Sequence, residues 1–138
     1  MARAVFLFNH DAAHQVSHLA PIAGAMARHH PEVETTVAYA SQTVRAQIER
    51  LVRPEDAARM NWHELALPRP IAAATGVLDK IAPVTRLARL RLHQPLFKAS
   101  DAVVSTERTC LRVKRRLRPG TAPLFISVPH GTGDRSVT

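Results

Sequence analysis

The sequence has 138 residues, 46% of them apolar and 22% charged, which suits a single globular domain and excludes a disordered chain. Its one cysteine, Cys110, excludes an internal disulfide and any multi-cysteine zinc site. The net charge of +8 is localised: residues 76–138 hold 12 Lys and Arg against 4 Asp and Glu, while residues 1–75 hold 7 of each.

A basic half of this kind points to phosphate-bearing partners: nucleic acid, an anionic membrane surface or a phosphorylated substrate. The six aromatic residues are not interleaved with the arginines. Single-stranded nucleic acid, which wants stacking platforms, is therefore disfavoured. The longest wholly apolar run, Ala4–Phe8, is too short for a membrane span or a signal-peptide core. A cytoplasmic location is the expectation, peripheral at the inner membrane face if the basic half meets lipid.

In chain order, Ala4–Phe8 reads as a strand buried on both faces. From about Ala13 to His30, Val16, Leu19, Ile22, Ala23, Met26 and Ala27 recur at helical spacing, with a bend or a late start expected at Pro21. Val33–Ala40 reads as a second strand, and Ser41 as the N-cap of a helix through Val44, Ile48 and Leu51. Pro54 closes that helix or opens a short one. Trp62–Leu67 is a third strand, and residues 71–99 form a helical region interrupted at Pro83 and Pro95. Asp101–Ser105 reads as a short buried strand, Thr106–Arg118 as a helix with Cys110 on its apolar stripe, and Leu124–Val128 as another buried strand. Strands alternating with helices predict an α/β fold: a Rossmann-like, doubly wound parallel sheet of about five strands flanked by helices.

In such sheets ligands bind outside the carboxyl ends of the strands. Three loops then matter: Asn9–His14, Ser105–Arg108 and His130–Arg135. In the last, a strand runs into His130-Gly131-Thr132-Gly133-Asp134-Arg135. The imidazole has the pKa of a general base, the glycines let backbone N–H groups approach an anion, and the guanidinium can grip phosphate bidentately. Thr106 opens the helix of the second loop, where helix N–H groups would face an anion. His10, His14 and His18 follow one another at i, i+4 and i+8. His10 belongs to the loop, so the three read as residues lining a ligand cleft and not as a metal site. Neither GxxxxGK[ST] nor a GxGxxG after the first strand is present, which disfavours a nucleoside-triphosphate enzyme and an ordinary nicotinamide dehydrogenase.

The strand, the histidine-bearing loop, the Pro-bent segment His18-Leu19-Ala20-Pro21-Ile22 and the later strand into His130-Gly131-Thr132 together resemble the N-terminal domain of GT-B-fold glycosyltransferases. More narrowly they resemble the branch of CDP-glycerol glycerophosphotransferases and UDP-N-acetylglucosamine 2-epimerases. The former carry His-Gly-Thr-Pro after a strand; here Gly133-Asp134-Arg135 stands in place of Pro-Leu-Lys. The Gly-Thr-Arg-Pro-Glu loop of the epimerases is absent.

The resemblance implies that residues 1–138 form one acceptor-side domain, continued in the full enzyme by a donor-binding domain that the chain lacks. It implies a transferase of surface-polysaccharide type that uses a nucleotide-activated donor, with a phosphorylated or lipid-linked acceptor and no cofactor or metal. His130 would be the base, and His10, His14, His18, Thr106, Gly131, Thr132, Gly133, Asp134 and Arg135 would bind substrate. The chain by itself would be inactive. Two alternatives are an epimerase-like half and a non-catalytic basic module for nucleic acid or anionic membrane.

Overall fold

The computed structural model describes residues 2–9, 13–81, 84–106 and 123–128. The strands are β1 (Ala2–Phe8), β2 (Val33–Tyr39), β3 (Asn61–Glu64), β4 (Ala102–Ser105) and β5 (Leu124–Ser127). The helices are α1 (Ala13–His29), α2 (Gln42–Leu51), α3 (Pro54–Ala58), α4 (Arg69–Leu78), α5 (Val84–Leu92) and α6 (Gln94–Lys98). The strands form one five-stranded sheet in the order β3-β2-β1-β4-β5, and every neighbouring pair is parallel. This is the Rossmann-like α/β fold expected from the strand–helix alternation.

The uninterrupted apolar run of β1 has a plain cause. Ala4, Phe6 and Phe8 project to one face, into a core with Val37, Tyr39 and Val104 of the sheet and with the stripe of α1 and α2. Val5 and Leu7 project to the other, against Ala38, Val103, Leu65, Leu90 and Phe97. A strand covered on both sides has no solvent face to make polar. Its register with β2 runs from Ala2 opposite Val33 to Phe8 opposite Tyr39, and with β4 from Ala4 opposite Ala102 to Leu7 opposite Ser105.

α1 buries Val16, Leu19, Ala20, Ala23 and Ala27, the 3.6-residue stripe. It begins at Ala13 and continues through Pro21 to His29, so of the bend or late start expected at Pro21 the late start does not occur. Pro21 lies on the exposed side, so the donor it lacks is missing from the solvent-facing row and not from the core row. Ile22, expected in the apolar stripe, lies on the same side and is exposed. On the covered side, a Cβ at Gly24 would stand 3.3 Å from Val52 Cγ1. The glycine lets α1 close on the end of α2. Arg28 of α1 also reaches the buried carboxylate of Asp56 in α3 at 3.3 Å.

Ser41 caps α2 as expected, its hydroxyl accepting from the Val44 N–H at 3.4 Å, and Pro54 opens α3. Two other expectations are corrected, for β3 and β5. β3 starts earlier and stops at Glu64, because Leu65 turns into the core and Pro68 leads directly into α4. The helical region of residues 71–99 is, as its two interruptions imply, three helices, with Pro70 and Pro95 in the first turns of α4 and α6, where proline is tolerated; Pro83 lies outside the described residues. β5 is not a buried strand. As the outer strand beside β4 it leaves Leu124 64% and Ile126 42% exposed. Past β4, Thr106 is buried and non-helical; the rest of the expected Thr106–Arg118 helix, with Cys110, lies outside the described residues. Among the described residues no helix is long and apolar enough to cross a membrane.

Thr35 sits on the α1 side of β2, 2% exposed, and its hydroxyl has no hydrogen-bond partner among the described residues. A buried, unpaired hydroxyl costs about 1–3 kcal/mol relative to an apolar group of the same shape. Thr35→Val is therefore expected to raise stability by about 1 kcal/mol. Urea denaturation should show a higher midpoint at an unchanged m-value.

Candidate functional site

Because all five strands run the same way, their carboxyl ends meet at one rim. Backbone bonds carry the ladder up to it: Ala40 N–H to the Phe8 carbonyl at 3.0 Å, Leu65 N–H to Tyr39 at 2.8 Å and Val128 N–H to Ser105 at 2.8 Å. From β1 the chain crosses first to β2 on one side, while β4 lies on the other. The crevice between the ends of β1 and β4 is therefore the topological switch point, where doubly wound sheets bind ligands.

Asn9 stands at this point, directly after the all-apolar β1. It is 1% exposed, and its amide donates to the Arg86 carbonyl of α5 at 3.0 Å. That bond ties the rim to the helix layer on the second face. The Asn9 Oδ1 is buried with no hydrogen-bond partner among the described residues, an acceptor for which burial without a donor is costly. Across the crevice, Ser105 and Thr106 are also buried.

A second polar device pins the same helix layer. His93, between α5 and α6, has its Nε2 2.8 Å from the Ala66 carbonyl, so this nitrogen carries the proton and donates. Its Nδ1 then accepts from Nε2 of His63 on β3, at 3.0 Å, with the rings edge to face. Burial first, and the neighbouring His93 second, hold the His63 imidazole below the ordinary value of 6.5. On the α2 side, the Arg45 guanidinium lies 4.7 Å from the Trp62 ring centroid and donates to the Tyr39 hydroxyl at 3.3 Å. It anchors α2 over the outer strands.

The residues expected to form the site distribute as follows. Thr106 is at the rim. His14 lies in the first turn of α1, which starts at the rim, and His18 lies exposed one turn further along. His10, and with it His130, Gly131, Thr132, Gly133, Asp134 and Arg135, lie outside the described residues. β1, β4 and β5 run parallel, so their carboxyl ends at Phe8, Ser105 and Ser127 lie on one side of the sheet. Among the described residues no cluster of three or more metal-ligating side chains occurs.

Sequence reasoning passed over Asn9 as a site residue. The available signal was a lone amide ending a fully buried strand. It also missed the His63–His93 pair, for which no local signal exists.

No protein-family model matches the sequence, and no curated protein matches it significantly. Among solved structures, the chain is similar to a UGT transferase from Siraitia grosvenorii crystallised in complex with UDP. The TM-score is 0.52 at 18% identity, over 84% of this chain and 26% of that chain. At that identity the likeness is one of fold. This chain thus shares the Rossmann-like architecture of part of a glycosyltransferase and spans about a quarter of its length.

Two measurements check the rim and its pins. Asn9→Asp sets a carboxylate against the Arg86 carbonyl, and is expected to lower stability at pH 7 by more than Asn9→Ala, itself costing about 1–2 kcal/mol. Urea titrations of both variants at pH 7 and pH 4 should show the gap closing as the carboxylate gains a proton. For His63, a folded pKa below the unfolded value means that the native state binds the proton less tightly. The associated stability is full above pH 6.5 and is lost as pH falls through 6.5 toward the lower folded value. Melting temperatures should fall with acidification across that window, and less steeply in His63→Gln.

Proposed function

We propose that this chain is the acceptor-side half of a GT-B-type transferase that moves a group from a nucleotide-activated donor to a hydroxyl acceptor. The observation that carries the reading is the parallel sheet with its switch-point crevice, in a topology similar over 84% of the chain to part of a transferase solved with UDP. A second α/β domain would bind the donor. The buried Asn9 acceptor, with Ser105 and Thr106 across the crevice, offers a polar floor for an acceptor hydroxyl. Asn9 can accept its hydrogen bond.

In this reading His130 takes the proton of the acceptor hydroxyl as its oxygen attacks the activated centre of the donor. The bond to the departing nucleotide phosphate breaks in the same inverting displacement. Arg135 and the backbone N–H groups of Gly131, Thr132 and Gly133 balance the negative charge of phosphate. His10, His14, His18 and Asp134 line the acceptor side. The His130-Gly131-Thr132 match supports a polyol-phosphate acceptor of the glycerophosphotransferase kind, as used in surface polysaccharides. It favours this over the epimerase-like half, whose characteristic loop is missing from the sequence.

Amide-resolved NMR titration tests the assignment. Glycerol phosphate and related polyol phosphates are expected to shift the signals of Asn9, Ser105 and Thr106, and His130→Ala should weaken the response. UDP alone should leave those signals in place. A rim that responds to UDP and ignores polyols, or robust sugar or glycerophosphate transfer by the 138-residue chain unaided, would overturn the acceptor-side reading.

A further inference from the structure

The helix pair α4–α5 has a surface that the rim does not explain. Of the ten residues of α4, only Thr75 is buried, and its hydroxyl is turned back onto the Ile71 carbonyl at 2.9 Å. The remainder of the helix is nearly uncharged, RPIAAATGVL. A helix with this composition in water should hide one face, and this one does not. Ile71 is 40% exposed, Val77 69%, Leu78 47%, Ile81 87% and Leu92 46%.

Charge sits around these aliphatics with one sign. Residues 69–98 contain Arg69, Lys80, Arg86, Arg89, Arg91 and Lys98 against a single acid, Asp79. That acid is exposed and keeps its charge, held at the turn between the two helices. Its carboxylate accepts from the Thr85 hydroxyl and, at 2.8 Å, from the Thr85 N–H, joining the end of α4 to the start of α5.

With that junction at one end, and Ile71 lining one groove with Ala88 and Leu92 at the other, the two helices form an antiparallel hairpin whose corner carries Val77, Leu78, Lys80 and Ile81. At its base a groove of about 500 Å³ is lined by Leu67, Ile71, Leu92 and Pro95 together with Arg91 and Lys98. Apolar surface bordered by cations therefore occurs at both ends of the hairpin.

We propose that the α4–α5 hairpin is a docking surface for an anionic lipid bilayer. Val77, Leu78 and Ile81 enter the interfacial layer, and Lys80, Arg89, Arg91 and Lys98 meet lipid phosphates. The charge pattern selects this occupant: exposed aliphatics alone would suit any apolar partner, but six cations against one acid over residues 69–98 suit a negatively charged lipid surface. Each cation near such a surface contributes about 1 kcal/mol, roughly fivefold in binding. The inference is independent of the acceptor-side reading, since it concerns helices and not the strand ends.

Sedimentation with vesicles tests it. Vesicles containing phosphatidylglycerol should bind the chain at least tenfold more tightly than phosphatidylcholine vesicles, with affinity falling as salt rises. The double variant Val77→Ser/Ile81→Ser, at solvent-exposed positions, should keep the far-ultraviolet circular dichroism and lose most of the binding. Lys80→Gln/Arg91→Gln should lose binding chiefly at low salt.

A variant with Lys114, Arg115 and Arg116 changed to Gln separates this surface from the other basic stretch and should keep the dependence on Val77 and Ile81. Four results would overturn the proposal. They are equal binding to both vesicle types, binding indifferent to Val77 and Ile81, a preference for RNA over anionic vesicles, and self-association of the chain that Ile81→Ser abolishes. NMR shifts at Asn9, Ser105 and Thr106 report on the rim separately, so either reading can fail while the other stands.

Discussion

Two-sided burial of β1 is the constraint from which the remaining architecture follows. Phe6 and Phe8 are wholly inaccessible on one face, and Val5 and Leu7 nearly so on the other. Burying side chains of this size stabilises by about 1.5–3 kcal/mol each. A strand that must be covered above and below has to lie in the interior of its sheet, with partners on both edges and helices on both faces. β2 and β4 supply the edges. The parallel direction of those partners obliges long crossovers, and the crossovers are the helices that cover the faces. The rim is then a by-product of the same requirement, since parallel strands deliver all their carboxyl ends to one side.

The two faces are held differently. On the α1 side, a large apolar cluster runs from β1 through α1 and α2 to Met60, tightened by the close approach at Gly24 and by the Arg28–Asp56 pair. On the α5 side the apolar cluster is smaller. Polar bonds complete it, from Asn9 to the Arg86 carbonyl and from His63 through His93 to the Ala66 carbonyl. Hydrogen bonds are directional, so these fix the seat of α5 and α6 against the strand ends more sharply than a few aliphatic contacts could. α4 is held through α5 and its junction at Asp79, which is why so much of its surface stays outside the core.

Such an arrangement separates three tasks along one chain. The α1 side carries the larger apolar core. The rim, with its unmatched Asn9 oxygen, is where the proposed acceptor would be held, and the outer hairpin presents the aliphatic and cationic surface. Likeness in fold to part of a UDP-bound transferase fits that division without assigning a substrate. The narrower glycerophosphotransferase reading rests on the His130-Gly131-Thr132 pattern in the sequence.

Much of the layout was legible from local signals. The unbroken apolar run named β1 as an interior strand, Ser41 marked the start of α2, and the 3.6-residue stripe outlined α1, because each of these depends on neighbours within a few positions. The alternation of strands and helices was enough for the parallel sheet, whose strand ends share one rim. What only tertiary structure decided was set by distant contacts. Asn9 meets α5 across 77 residues of chain, and His63 meets His93 across 30; no local pattern encodes either bond. The apolar run Leu124–Val128 looks like an interior strand by composition, yet it lies at the sheet edge, because order within a sheet is chosen by the crossovers and not by the strand. The exposure of the aliphatic residues of α4 is likewise a tertiary outcome, since α4 packs chiefly on α5.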